Sequence, residues 1–128
     1  MLDTNFVLTV YNGTPHDINI IEGAVYDEKT RKYYGGNIVN TIPSDGQLNA
    51  RYKDLQPIGI NHNIPIYKRD VNTIDACPNH DMVIVSVQYA TAYKEVHGNK
   101  PNNLYTIVNP VYDVNSSTII GCLGVQKV

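Results

Sequence analysis

The sequence predicts a mainly β (α+β) fold: a compact, predominantly antiparallel sheet or barrel with one short helix near 86–98. Three observations predict it. Short β-type segments separated by turn residues fill most of the chain. Only Ser86 to Gly98 carries both a helix start and a helix stop. The 128 residues, 42 % of them apolar, suffice for one core, so residues 1–128 are read as a single domain.

Taken in order, Phe6, Leu8 and Val10 alternate as one face of a strand should, and Asn12–Gly13 makes the turn after it. Ile18, Ile20 and Ile21 open a second strand that runs toward Tyr26. The mixed charges from Asp27 to Lys32 lie between apolar pairs and predict a solvated hairpin tip. Tyr33 to Ile42 and Leu48 to Leu55 are two further strands, split by Pro43–Ser44–Asp45–Gly46. Ile64 to Val71 is another, which Pro65 confines to an edge or to a strand start. Met82–Val83–Ile84–Val85 is a continuous apolar run, as in a strand buried on both faces. Ser86 then serves as helix N-cap, Lys94 and His97 occupy the last turn, Gly98 suits the left-handed cap, and Pro101 stops continuation. Leu104 to Val108 and Thr118 to Val125 complete the sheet, joined through Asn109–Pro110 and Asn115–Ser117.

Composition removes several functions. A formal charge of −2 lacks the basic footprint of a nucleic-acid binder. No apolar stretch approaches the ~20 residues of a membrane span, and Met1–Leu2–Asp3 lacks the basic start of a signal peptide, so a cytoplasmic protein is expected. Two cysteines are too few for a disulfide scaffold, and Cys122, in an apolar run, reads as a core residue. His16, His62, His80 and His97 share no metal-ligand spacing, and Cys77 with His80 has no second matched pair, so neither metal nor cofactor is expected. Nucleophile motifs and phosphate loops are missing as well, which makes an enzyme the weaker class.

One feature does suit a ligand. A buried strand that turns at Ser86 into a helix aims the amides of Val87, Gln88 and Tyr89 outward, where a phosphate or carboxylate oxygen can accept from them. The Ser86 hydroxyl either joins that ligand or caps the helix. Arg51 is the best basic partner, since its planar fork matches an oxyanion; otherwise it forms a salt bridge on a sheet face. The sequence has ten Tyr, one Phe and no Trp, so tyrosine supplies either stacking surfaces or simply the aromatic core.

Val10 to Ile18 contains Asn12–Gly13–Thr14–Pro15–His16; Pro43–Ser44–Asp45–Gly46 is followed by Ala50–Arg51; Ile84–Val85–Ser86 sits at the strand-to-helix junction. Pro110–Val111–Tyr112–Asp113 and Ile119–Ile120–Gly121–Cys122 follow. In this order, over about residues 6–125, the chain resembles a family of small phage and prophage proteins that open with a strand running into Asn-Leu-Thr-Pro-His. Gly13 stands where that family has an apolar residue, and Asp45 is an extra residue in its Ser-Gly step. The resemblance carries no assigned activity, but by analogy of size and setting it implies a counter-defence protein. Such a protein binds a nucleotide immune signal, of cyclic ADP-ribose type or a cyclic dinucleotide, and sequesters it without turnover in the cytoplasm of the infected bacterium. Thr14, His16 and Ser44 then join Arg51 and residues 86–89 as candidate ligand-binding residues. Two alternatives remain open: a phosphodiesterase with His16 as acid or base, oriented by Thr14 and Asp17, or a structural or host-protein-binding phage component. A homodimer is expected, with Ile18–Ile20–Ile21 as pairing surface. Arg51 is expected to serve binding, and His16 to serve folding through a hydrogen bond to a neighbouring carbonyl.

Overall fold

The computed structural model describes residues 9–98 and 103–128. The alternation at Phe6 and Leu8 and the stop at Pro101 lie outside the described residues. The rest is a curled half-barrel sheet with two small ribbons and one helix, the mainly β fold with one short helix that the sequence predicts.

The strands are β1 (Val10–Asn12), β2 (Ile18–Glu22), β3 (Val25–Asp27), β4 (Lys32–Tyr34), β5 (Asn37–Ile42), β6 (Ala50–Tyr52), β7 (Gln56–Asn61), β8 (Ile64–Lys68), β9 (Val71–Ile74) and β10 (Met82–Ile84). The helix α1 (Val87–His97) follows, then β11 (Leu104–Tyr112) and β12 (Ile119–Lys127). The main sheet runs β1-β10-β11-β12-β2-β5, and β4 joins β11 with β3 beside it. β6 pairs with β9 and β7 with β8 as separate antiparallel ribbons.

The β1-β10-β11 end of the sheet is parallel, while the β11–β12 pair at its middle is antiparallel. β1 and β11 both run alongside β10 in its own direction. Parallel neighbours need a crossover, and α1 supplies it between β10 and β11. Val83, Ile84 and Val85 are all buried, which confirms the two-sided strand read from the apolar run. Successive side chains alternate faces. Val83 and Val85 therefore pack with Leu48, Leu104, Tyr89 and Ala90 on the helix side. Ile84 packs with Ile18 and Cys122 on the other side.

Ser86 caps α1 as read: its hydroxyl accepts from the Tyr89 amide at 3.1 Å. Gly98 does not take the expected left-handed helical conformation: at φ 70° and ψ −151° it lies where only glycine goes readily, and it still donates its amide to the Lys94 carbonyl. The charge run forms the tip of the β3–β4 hairpin, where Asp27 accepts from the amides of Lys29 and Arg31.

Several boundaries differ from the sequence reading. The segment from Tyr33 to Ile42 is two strands, because Gly35 and Gly36 sit at φ 74° and 83° and turn the chain between them. Asn109–Pro110 joins nothing; β11 runs through both, with Asn109 at φ 51°. β7 is a strand that Pro57 and Gly59 hide from any alternation rule. Its turn into β8 places His62 and Asn63 at φ 49° and 61°, the left-handed pair of a two-residue hairpin. The proposed pairing surface at Ile18–Ile20–Ile21 is spent inside the protomer. Ile18 and Ile21 are buried, and β2 lies between β12 and β5.

Candidate functional site

Asn12, at the end of β1, is fully buried and organises the loops around it. A buried amide needs partners for both its donors and its acceptor, and this one has them. Its Nδ2 donates to the carbonyls of His16 and Ile42, each at 3.0 Å. Its Oδ1 accepts from the Thr14 amide at 3.0 Å, and Thr14 Oγ1 lies 2.6 Å away. The backbone is fastened as well: the Asn12 amide donates to Asp45 Oδ2, and the Asp45 amide donates to the Asn12 carbonyl. Sequence reasoning took Asn12 for a turn residue only. The signal was local, since Asn two residues before Thr is the pattern of a side chain closing on the backbone ahead of it.

Gly13 and Asp45 both fall in this joint. A Cβ on Gly13 would lie 2.8 Å from Leu48 Cδ1 and 3.1 Å from the Ile84 carbonyl, so the glycine permits close packing. Asp45 contributes the carboxylate that holds the Asn12 amide.

Ser44 and Thr14 are fasteners in the same network. Ser44 Oγ donates to the Thr14 carbonyl at 2.6 Å, and the Ser44 amide donates to Asp17 Oδ1 at 2.9 Å. His16 is used through its carbonyl, which accepts from Asn12. Its imidazole is exposed and has no hydrogen-bond partner among the described residues. The expected bond from the ring to a neighbouring carbonyl is therefore absent, because rigidity of this turn comes from the Asn12 amide.

On the sheet face away from α1, Thr14, His16 and Asp17 form the rim of a groove of about 480 Å³. Ile107 and Ile119, 41 % and 52 % exposed, line it, with Cys122 behind them. A mostly apolar hollow of this size with a few polar groups at one edge is the usual form of a small-molecule site. The remaining oxygen of the Asp17 carboxylate is available as an acceptor, the first being held by Ser44. Neither Ile107 nor Ile119 was expected to line a ligand site, since nothing local distinguishes a groove isoleucine from a core one.

The predicted anion site divides. The Tyr89 amide is consumed by the Ser86 hydroxyl, which leaves Val87 and Gln88 as the outward donors of the first turn. The lysines beside that turn are Lys94 and Lys127, which with Val87 line a depression of about 340 Å³. Arg51 is engaged in an ion pair with Asp75 at 3.1 Å on the β6–β9 ribbon. Asp75 also accepts from the Asn49 amide at 2.7 Å, and its carbonyl accepts from the Tyr89 hydroxyl at 2.7 Å. The Asn49 hydrogen bond first, and Arg51 second, hold the Asp75 carboxyl below the usual carboxylate range. Burial pushes the Tyr89 phenol upward, with Cys77, Tyr93 and Asp75 adding to it. Thr14 and His16 thus share one site, while Arg51 and residues 86–89 belong to the helix side of the sheet.

Among the described residues no group of three or more His, Cys, Asp or Glu side chains is placed to hold a metal ion. Among the same residues no helix is long and apolar enough to cross a membrane. The Cys77 to Asp81 loop brings Cys77 and His80 to one hollow with Tyr93 and Asn103, and the Asn103 side-chain amide donates to the His80 carbonyl. Compared with protein-family models, curated proteins and solved structures, the chain matches none of them.

Proposed function

We propose that this protein binds a nucleotide-type small molecule in the groove beside His16 and holds it without turnover. The observation that carries the reading is the pairing of an apolar wall with a free, exposed imidazole on a turn that Asn12 makes rigid. Ile107 and Ile119 offer an apolar surface to a nucleobase, and the exposed His16 ring of the same groove is available to stack on it. The free oxygen of Asp17 suits a base N–H or a ribose hydroxyl, both of which are donors. Sequestration needs no nucleophile and general base in register, and none is assembled at this rim: the neighbours of His16 are Thr14 and Asp17, both tied into the loop joint. Under the resemblance to small phage proteins, the ligand would be a cyclic ADP-ribose-type molecule or a cyclic dinucleotide made by a bacterial immune system. The place of action would be the cytoplasm of the infected cell.

The test is to incubate the protein with each nucleotide class, remove free ligand, heat the complex and analyse what is released. Intact nucleotide in stoichiometric amount is the expected result. Altered product would assign turnover instead, and no uptake of any class would overturn the reading. Ile107→Trp, which fills the groove from its exposed wall, should abolish uptake while leaving the melting temperature close to that of the parent.

A further inference from the structure

Where β4 begins beside β11, a hollow of about 510 Å³ opens next to the charged tip of the β3–β4 hairpin. Arg31, Lys32, Tyr26, Tyr33, Tyr112 and Asn109 line it, and no Asp or Glu does. On a chain of formal charge −2, this is a local excess of positive charge. The His16 groove, by contrast, has Asp17 in its lining and neither lysine nor arginine. The two cations of the hollow are not neutralised. Among the described residues the ion pairs are Arg51–Asp75 and Lys68–Asp70, and Arg31 and Lys32 take part in neither. Lys32 has a carboxylate within its own ladder, since Asp27 stands opposite it across β3 and β4. Its ammonium lies instead over the Tyr112 ring, 4.5 Å from the centroid, while Asp27 Oδ1 accepts from the Lys29 amide. A ring face attracts a cation without cancelling its charge, so the half-buried ammonium still favours an anion.

The backbone marks the same place. Among the described residues four other than glycine have a positive φ, and His62 and Asn63 owe theirs to a two-residue turn. The other two, Arg31 at 57° and Asn109 at 51°, both line this hollow. Arg31 stands at a turn position that glycine takes without steric cost, and Asn109 kinks β11 within its length. Costly backbone conformations of this kind concentrate at ligand sites. Tyr26 and Tyr33 stand opposite each other in register with ring centroids 5.0 Å apart, and Tyr26 is 47 % exposed. The pair gives the hollow an aromatic wall.

We propose that this hollow binds a phosphorylated aromatic molecule of the mononucleotide class, its phosphate held by Arg31 and Lys32 and its base against Tyr26 and Tyr33. The planar guanidinium and the ammonium both donate to phosphate oxygens, and tyrosine rings stack on any base. The volume lies within the range of small-molecule sites. The site is separate from the His16 groove and does not rest on the reading given for that groove.

Calorimetric titration of the full chain with adenosine 5′-monophosphate tests it, with adenosine and inorganic phosphate as the partial ligands. Every titration is made in an Ile107→Trp background, so that the His16 groove is filled and failure of one site is told apart from failure of the other. The nucleotide should bind about tenfold more tightly than either part, and should weaken several-fold between about 50 and 300 mM salt. Arg31→Gly removes the cation and suits φ 57°, so it should weaken the nucleotide about tenfold while the melting temperature holds or rises. Tyr26→Ala should weaken the nucleotide and leave inorganic phosphate unchanged. Lys68→Ala, a cation already paired with Asp70 on β8, should change neither. No binding at about 1 mM nucleotide, adenosine or phosphate binding as tightly as the nucleotide, or full affinity in Arg31→Gly or Tyr26→Ala would each overturn the proposal.

Discussion

Replacing Asn12 by alanine removes the joint between the Thr14–His16 turn and the Ser44–Asp45 loop. The side chain is fully buried and makes hydrogen bonds to three residues. Without it the Ile42 carbonyl and the Thr14 amide each lose a partner, while the His16 carbonyl keeps Thr14 Oγ1 at 3.0 Å. Leaving a buried polar group unpaired costs about 1–3 kcal/mol. These two groups lie in partly buried surroundings that water can re-enter, so the total should fall near 2–4 kcal/mol. For a domain of this size that corresponds to a fall of roughly 8–18 °C in melting temperature. Thermal melts followed by circular dichroism at 218 nm would measure it, with urea titration as a second readout. His16→Ala is the internal control: the ring is exposed and unpartnered, so it should melt within about 0.5 kcal/mol of the parent. A fall of less than 3 °C for Asn12→Ala, or an equal loss for His16→Ala, would refute the argument that the amide and not the imidazole makes the turn rigid.

Gly121→Ala should destabilise strongly, since a Cβ there would lie 2.5 Å from the Asn19 carbonyl and 2.6 Å from Ile21 Cδ1. The strands must separate to admit it, at a cost of about 1–3 kcal/mol read from the urea midpoint. Asp75 and Asp81 both have carboxyl pKa values lowered by folding, Asp75 chiefly through the Asn49 amide and Asp81 chiefly through the Thr9 amide. A depressed folded-state pKa stabilises above the unfolded value and is lost as pH falls through the folded one. Melting temperature should therefore hold from pH 7 to about pH 5 and fall below about pH 4. Arg51→Ala should leave most of that acid limb in place because the Asn49 hydrogen bond dominates, and loss of the whole limb would contradict the ranking. Burial raises the thiol pKa of Cys122, which should resist a thiol reagent at pH 8 until the protein is unfolded.

The parts of this protein legible in sequence are those whose cause is local. Met82 to Val85 reads as a buried strand because four successive apolar residues have no polar face to expose. Ser86 and Gly98 mark the helix because capping is satisfied within one turn of chain. The charged hairpin tip follows for the same reason, its bonds spanning two to four residues. The site was legible only in fragments. Thr14, His16 and Ser44 could be named, but their roles depend on Asn12 and Ser44 reaching partners about thirty residues away, at Ile42 and Thr14. Arg51 could be read as a free cation or a paired one, and only the β6–β9 register, which brings Asp75 beside it, decides for the pair. The parallel run of β1, β10 and β11 and the groove at Ile107 and Ile119 both come from which strands lie side by side. Strand pairing joins residues that are remote in sequence, and the energy that selects a register lies in side chains that meet only once the chain has folded.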